Sequence, residues 1–318
     1  MATGAPPRKR AKSGALGAFR ESRWFVLVWL VPVLAVVAVG AVLLARWLRT
    51  LPGVADFIAT YPGEYALPEW APIGIPAWIG WQHFFNAFLL VLIIRSGWQV
   101  RQTKRPPAFW TRHNRGILRT KRQPRKMSLH LWWHLTLDAL WLLNGIVFVV
   151  LLFATGHWVR IVPTSWEVFP NALSAGIQYV SFDWPTENGW VNYNSLQQLT
   201  YFLTVFVAAP LAAITGARMS ELWPPDSRLN RVYKVEWARA LHFPVMLYFV
   251  LFIIVHVTLV LATGALRNLN HMYAANDGDS WWGAGIFALS LAVMAGAVVA
   301  AQPVVLRPIA ALMGKVSR

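Results

Sequence analysis

The sequence predicts an all-α integral membrane protein with six transmembrane helices, on three observations. Its 318 residues are 57% hydrophobic and only 13% charged, about half the charge of an ordinary soluble domain. Six stretches reach the roughly 20 apolar residues that a helix needs to cross a bilayer core: 24–45, 75–94, 131–154, 196–216, 240–264 and 281–306. Asp138 is the only formal charge inside them. Trp24, Trp47, Trp78, Trp132, Trp158, Tyr201, Trp281 and Trp282 crowd the ends, where a side chain that is half apolar and half wet is best placed. This pattern excludes a cytosolic enzyme and a disordered chain alike.

The first span follows a basic tail, residues 1–23, and so resembles a signal peptide at first sight. Its uninterrupted run outlasts the apolar core of a signal peptide, and Ala45-Arg46-Trp47 is a poor cleavage context, so it is expected to be a retained helix. The segments before the first span, between the second and third, between the fourth and fifth, and after the sixth hold 25 of the 29 Lys and Arg. By the positive-inside rule the chain is a multi-pass protein of the cell membrane with both termini and the 95–126 loop in the cytoplasm. That loop, with Lys104-Arg105, Lys121-Arg122 and Arg125-Lys126, has the charge to bind nucleic acid but no recognition motif beside it. The net charge of +16 is read as topology, with contact to anionic membrane lipid, and no nucleic-acid partner is expected. The outer segments 46–74 and 155–195 are rich in Pro, Gly, Trp and Asn and are expected to pack as ordered caps. With no internal repeat, residues 24–318 form one domain.

Zero cysteines exclude disulfides, thiolate metal sites and covalently attached haem, so any redox chemistry falls to histidine, carboxylate or a non-covalent cofactor. Of eight histidines, His83, His134, His242 and His256 lie in the apolar spans, where an ionisable group is costly and so a functional candidate. His242 and His256 are 14 residues apart, which at 100° per residue falls 40° short of four full turns. Both therefore face one side of the fifth helix, about 21 Å apart along it. His256 and His83 each lie eight residues, about 12 Å, from the outer end of their spans. His134 lies about one turn into the third span from the cytoplasm, level with His242.

Two pairs at matched depths follow: His83 with His256 outside, His134 with His242 inside. Opposed imidazoles across a bundle can take the two axial sites of a haem iron, whereas zinc would want a third or fourth ligand close by. His130, one turn before His134 on the same face, is a rival inner ligand or a polar neighbour; His134 is preferred because it lies deeper. His157, beside Trp158, reads as an interface residue, and His113 and His271 as loop residues. Gly97 and Gly145 allow close approach of backbone or macrocycle. Arg239, one turn before His242, and Arg267 suit haem propionates, or else are terminal arginines snorkelling to the membrane surface.

Four segments together resemble a known family. The second span, WQHFFNAFLLVLIIRSGWQV, is similar to the first haem helix of bacterial di-haem cytochromes b, ending in Ser–Gly. The third, WWHLTLDALWLLNGIVF, resembles their second haem helix, with His134 eleven residues before Gly145. The fourth runs from Asn-x-x-Gln to Thr–Gly, and the fifth carries Arg-x-x-His and a second His fourteen residues on. These are features of the cytochrome b561-like superfamily, with the membrane subunits of formate dehydrogenase, nickel–iron hydrogenase and thiosulfate reductase. The likeness is greatest to the cytochrome b/b6-domain proteins that accompany molybdopterin oxidoreductases. It covers roughly residues 78–275, placing a four-helix di-haem core at about 75–275 with one extra helix at each end.

The resemblance implies two b haems on His83, His134, His242 and His256, and a quinone site near Asn194 and Gln197. Both of the latter can hydrogen-bond a quinone carbonyl, and both can equally cap the fourth helix. Asp138 is either a proton relay or a paired polar residue. The extra first helix inverts the core relative to the family, so a redox partner, expected to be a molybdopterin oxidoreductase, docks on the cytoplasmic side near 95–126 and 218–239. The function implied is electron transfer between the quinone pool and that partner. The alternatives are a proton-coupled transporter, which would show broken helices or inverted repeats, and a haem-free anchor for a peripheral enzyme.

Overall fold

The computed structural model describes residue 20 and residues 22–115, 119, 123–184, 188–220, 223–224 and 226–318. Most of the basic tail 1–23, together with Lys121 and Arg122, lies outside the described residues. Among the described residues, six helices are long and apolar enough to cross a membrane. They are α1 (Leu27–Leu48), α3 (Ala77–Gln102), α4 (Leu129–Ala154), α6 (Ser195–Met219), α7 (Val235–Ala262) and α9 (Trp282–Ala300). The shorter helices are α2 (Pro52–Thr60), α5 (Val168–Val180), α8 (Ala265–Leu269) and α10 (Pro303–Met313). Most of the large apolar side chains on the spanning helices face outward, as a bilayer in place of water requires.

Helices α3, α4, α6 and α7 form the core. Leu90 of α3, Ala208 of α6, and Val245 and Phe249 of α7 are buried together, with Trp141 of α4 packed on them. Helix α6 is not uniform: Leu203–Ala208 winds as a π-helical segment. Pro210 explains it, because its ring crowds the carbonyl four residues back and it offers no N–H, so the preceding turn widens. Helix α1 stands apart from the core. Of its residues only Ala45 is buried, and its end is held by polar contacts: Arg46 Nε donates to the Ser181 carbonyl at 3.0 Å, and Arg49 pairs with Asp183 at 2.5 Å.

The described residues of the expected caps sit together at one end of the bundle. Arg160, 2% exposed, is their tie: its guanidinium donates to the Gly74 and Gly189 carbonyls, each at 2.6 Å, and lies over the Tyr193 ring. Around it Tyr65 donates to Gln198 Oε1 at 2.9 Å, Gln198 Nε2 to the Val159 carbonyl at 3.2 Å, and the Gly63 N–H to Asn171 Oδ1 at 3.0 Å. Irregular backbone at the membrane edge is stable only when its polar groups are satisfied in this way. On the same end Asn270 is fully buried, accepting from the Gly283 N–H at 2.8 Å and from Ser280 at 3.1 Å. A side chain on Gly283 would collide with the backbone of Leu269 and Asn270, so glycine lets α9 start against the π-helical segment Asn270–Ala274.

The opposite end departs from the expectation in two ways. The sixth span was expected to run to 306, but α9 stops at Ala300, and Pro303 opens the separate helix α10; proline suits a first helical turn, where no donor is needed. A small antiparallel sheet then forms in the order β2-β1-β3, from Met127–Ser128, Phe109–Arg112 and Gly314–Ser317. Trp110 pairs with Val316 and donates its indole N–H to the Ala310 carbonyl at 2.9 Å. Ala108, Trp110, Leu129, Trp132, Leu306 and Ala310 are buried beneath it. The basic loop and the chain's last residues are thereby one unit.

Replacing Arg160 by alanine would leave the Gly74 and Gly189 carbonyls unpaired. The expected loss is on the order of 3 kcal/mol, seen as a fall of several degrees in the thermal midpoint of the purified protein; a shift below one degree would show that the cap is held elsewhere.

Candidate functional site

The two histidine pairs that the depths matched are brought face to face. His83 of α3 opposes His256 of α7 with ring centroids 6.2 Å apart, and His134 of α4 opposes His242 of α7 at 6.5 Å. Two imidazoles that shared one metal ion through bonds of about 2.0–2.1 Å would have their ring centres about 6.3 Å apart. Both pairs stand at that spacing. Among the described residues no three His, Asp or Glu side chains converge on a common point, so the donor set is two separate imidazole pairs.

At the pair near the sheet, hydroxyls decide the tautomer. Ser96 Oγ donates to the Ile93 carbonyl at 3.0 Å and lies 2.9 Å from His134 Nδ1. Thr215 Oγ1 donates to the Leu211 carbonyl at 2.6 Å and lies 2.9 Å from His242 Nδ1. Each hydroxyl has one proton and has given it to a carbonyl, so it accepts from Nδ1–H. The imidazole Nε2 lone pairs are left for a metal. The next residues are Gly97 and Gly216, where an added Cβ would stand 3.1 Å from His134 Cε1 and 3.4 Å from His242 Cε1. A hydroxyl followed by glycine thus backs each ring, on α3 and on α6.

The pair near the caps is held differently. His256 stacks on Phe252 at 5.4 Å and meets the edge of Tyr201 at 6.2 Å, while His83 meets Tyr273 at 5.8 Å. His83 Nδ1 is buried without a hydrogen-bond partner.

Residues 74–274 match the family model described as prokaryotic cytochrome b561. The chain belongs to that family. A search of curated proteins and one of solved structures returned no match. The family's cofactor is a b-type haem, and this multi-pass membrane cytochrome is a haem-binding electron-transfer protein. The imidazole pairs, their spacing and the hydroxyl contacts behind His134 and His242 fit such a group.

The other residues singled out in the cytochrome's sequence sort as follows. His130 is buried with Nδ1 unpartnered, and it is His134 that stands opposite His242. Asp138 Oδ2 lies 3.7 Å from His134 Nε2. Arg239 is exposed. Arg267 is engaged: it binds Asp277 at 2.8 Å, as does His271 Nε2. The His271 hydrogen bond first, then that of Arg267, holds the Asp277 carboxyl below its usual range. No atom lies near a Cβ placed on Gly145.

Asn194 and Gln197 cap α6 reciprocally. Asn194 Oδ1 accepts from the Gln197 N–H at 2.9 Å, and Gln197 Oε1 accepts from the Asn194 N–H at 3.1 Å. Asn194 Nδ2 donates to the Tyr179 hydroxyl at 2.9 Å. This is a capping box, the second of the two readings that the sequence left open. Sequence reasoning missed Ser96 and Thr215, although Ser–Gly and Thr–Gly stood in the segments that carried the resemblance.

Thr215→Val and Ser96→Ala remove the acceptor behind one imidazole each, with little change in shape for the first. Each is expected to speed loss of haem to apomyoglobin by about tenfold or more, the usual size of an effect from a ligand's outer partner. Unchanged transfer in both would separate these hydroxyls from the cofactor.

Proposed function

We propose that this cytochrome carries electrons across the membrane through two bis-histidine b haems, one on His83 and His256, the other on His134 and His242. It would join the quinone pool to a redox partner at the sheet end. The observation that supports this most is that one helix, α7, presents both inward histidines, each against a different neighbour at ligating distance. When bound, each haem supplies a one-electron carrier. The chain's own residues do the rest. Ser96 and Thr215 hold two imidazoles in the ligating tautomer, and Gly97 and Gly216 leave room for those rings. Leu90, Trp141 and Phe249 each lie seven residues beyond a proposed ligand and pack in the layer between the pairs, where they exclude water. Arg239, exposed one turn below His242, is the proposed partner of a propionate.

The charge distribution supports an orientation with the sheet end and both termini in the cytoplasm. The partner proposed there is a molybdopterin-type oxidoreductase, docking on the basic surface around 95–126 and 218–239. Inward electron flow from a quinol would add to the membrane potential, at about 2.3 kcal/mol per charge per 100 mV. Quinone is retained in this reading, but not on Asn194 and Gln197, whose oxygens hold the start of α6.

The test is a haem count with an oxidised-minus-reduced spectrum of the purified chain. Two b haems per chain are expected, with one lost in His256→Ala and the other in His242→Ala. Retention of both haems in either variant would refute the ligand assignment, and a folded wild-type chain without haem would refute the conduit.

A further inference from the structure

Where α1 meets the caps, Arg46, Arg49, Thr50, Ser181 and Asp183 line a cleft of about 330 Å³, at the low end of the range for small-molecule sites. Both arginines precede the residues 74–274 that the family model matches, so the cleft does not belong to the shared core. The outer segments 46–74, 155–195 and 265–280 hold four Lys and Arg. Arg160 is tied to two carbonyls and Arg267 to Asp277; the other two meet here. Arg46 Nε donates to the Ser181 carbonyl at 3.0 Å, which orients the guanidinium. Its two terminal amino groups have no acceptor among the described residues. Arg49 donates to Ser181 Oγ at 2.8 Å and pairs with Asp183 at 2.5 Å. Ser181 is fully buried and gives its own proton to the Gln178 carbonyl at 2.9 Å, so toward Arg49 it is an acceptor. Two arginines against one aspartate leave the cleft a formal charge of +1. A phosphate diester of charge −1 complements it, since the N–H groups of a guanidinium match a pair of phosphate oxygens.

Two further observations point to a ligand at the membrane edge. Phe182 lies between the carbonyl that holds Arg46 and the carboxyl that holds Arg49, and its φ is +56°. That left-handed conformation is costly for a residue other than glycine, and strain of this kind concentrates at ligand clamps. Residues 31–41, about three turns of α1, are all exposed, so the flank turned toward the bundle is uncovered as well. Helix α1 leans on the rest of the fold through α5, and below that contact its valines and leucines offer the apolar wall that an acyl chain needs. Trp47, 56% exposed beside Arg46, sets this level at the membrane interface. We infer that the cleft binds the phosphate of a phospholipid with an uncharged polyol headgroup, of the phosphatidylglycerol type. Arg46 and Arg49 hold the phosphate, Asp183 accepts from a headgroup hydroxyl, and the acyl chains run along α1 in the gap between it and the bundle.

The experiment uses the full-length protein, delipidated in detergent, and native mass spectrometry with added dioleoylphosphatidylglycerol or dioleoylphosphatidylcholine. The first lipid adduct is expected to form about tenfold more tightly with phosphatidylglycerol than with phosphatidylcholine, the size of one hydrogen bond to a charged group. Arg46→Gln should abolish that preference. Asp183→Asn, at a side chain 71% exposed, keeps an acceptor but removes the competing charge, and should tighten phosphatidylglycerol severalfold. It carries the test if Arg46→Gln fails to fold, as judged by circular dichroism. Excess inorganic phosphate should leave the lipid adduct in place; displacement would make this a site for free phosphate and overturn the lipid assignment. Equal binding of the two lipids, or the wild-type preference in either folded variant, would overturn the site.

Discussion

Helix α7 has to present two imidazoles about 21 Å apart on one face and meet a different neighbour at each level, and the core is arranged around that requirement. A spacing of 14 residues keeps His242 and His256 nearly in line, because four turns of α-helix take about 14.4 residues. Facing them, α3 supplies His83 near the caps and α4 supplies His134 near the sheet, so the two neighbours must pack on each other as well as on α7. Small residues make this possible. Gly97 of α3 lies behind His134, and Gly216 of α6 behind His242, so each ring has a wall without a side chain. A side chain at Gly97 would press on the His134 ring, whereas one at Gly216 would stand in van der Waals contact with His242.

The layer between the pairs follows from the same register. A step of seven residues is close to two turns, so Leu90, Trp141 and Phe249 lie on the same faces as His83, His134 and His242. Phe249 is 5% exposed and meets Trp141 edge-on at 6.2 Å. The Trp141 indole donates to Asn86 Oδ1 at 2.7 Å, which satisfies the one polar atom that this aromatic contact brings in. These side chains fill the layer between the two pairs with apolar contacts.

Much of this was legible in the sequence because it depends on period and composition. The six spans stand out by hydropathy, and the histidine pairs by counting residues from the span ends. What was not legible depends on contacts between segments distant in sequence. The sheet uses strands of two to four residues, too short to show alternation, and exists because Trp110 is trapped between β3 and α10. The early end of α9 lay in an apolar run that continues through Pro303 without a polar residue other than Gln302. Ser96 and Thr215 looked like ordinary small polar residues, since a hydroxyl inside a helix normally bonds only to its own backbone.

The two pairs differ in what fixes them, and the difference follows from what surrounds each end. Near the sheet, His134 and His242 are held by hydroxyls that themselves belong to regular helix, so ring orientation is set by the most rigid part of the molecule. Near the caps, His83 and His256 are enclosed by aromatic rings from the π-helical segment Asn270–Ala274 and from the first turns of α6, segments positioned by Asn270, the Asn194–Gln197 box and ultimately the Arg160 tie. The geometry of that pair therefore depends on the cap. The ordered outer segments are then more than a cover. They set the frame of the imidazoles nearest to them, while the pair near the sheet keeps its orientation independently of them.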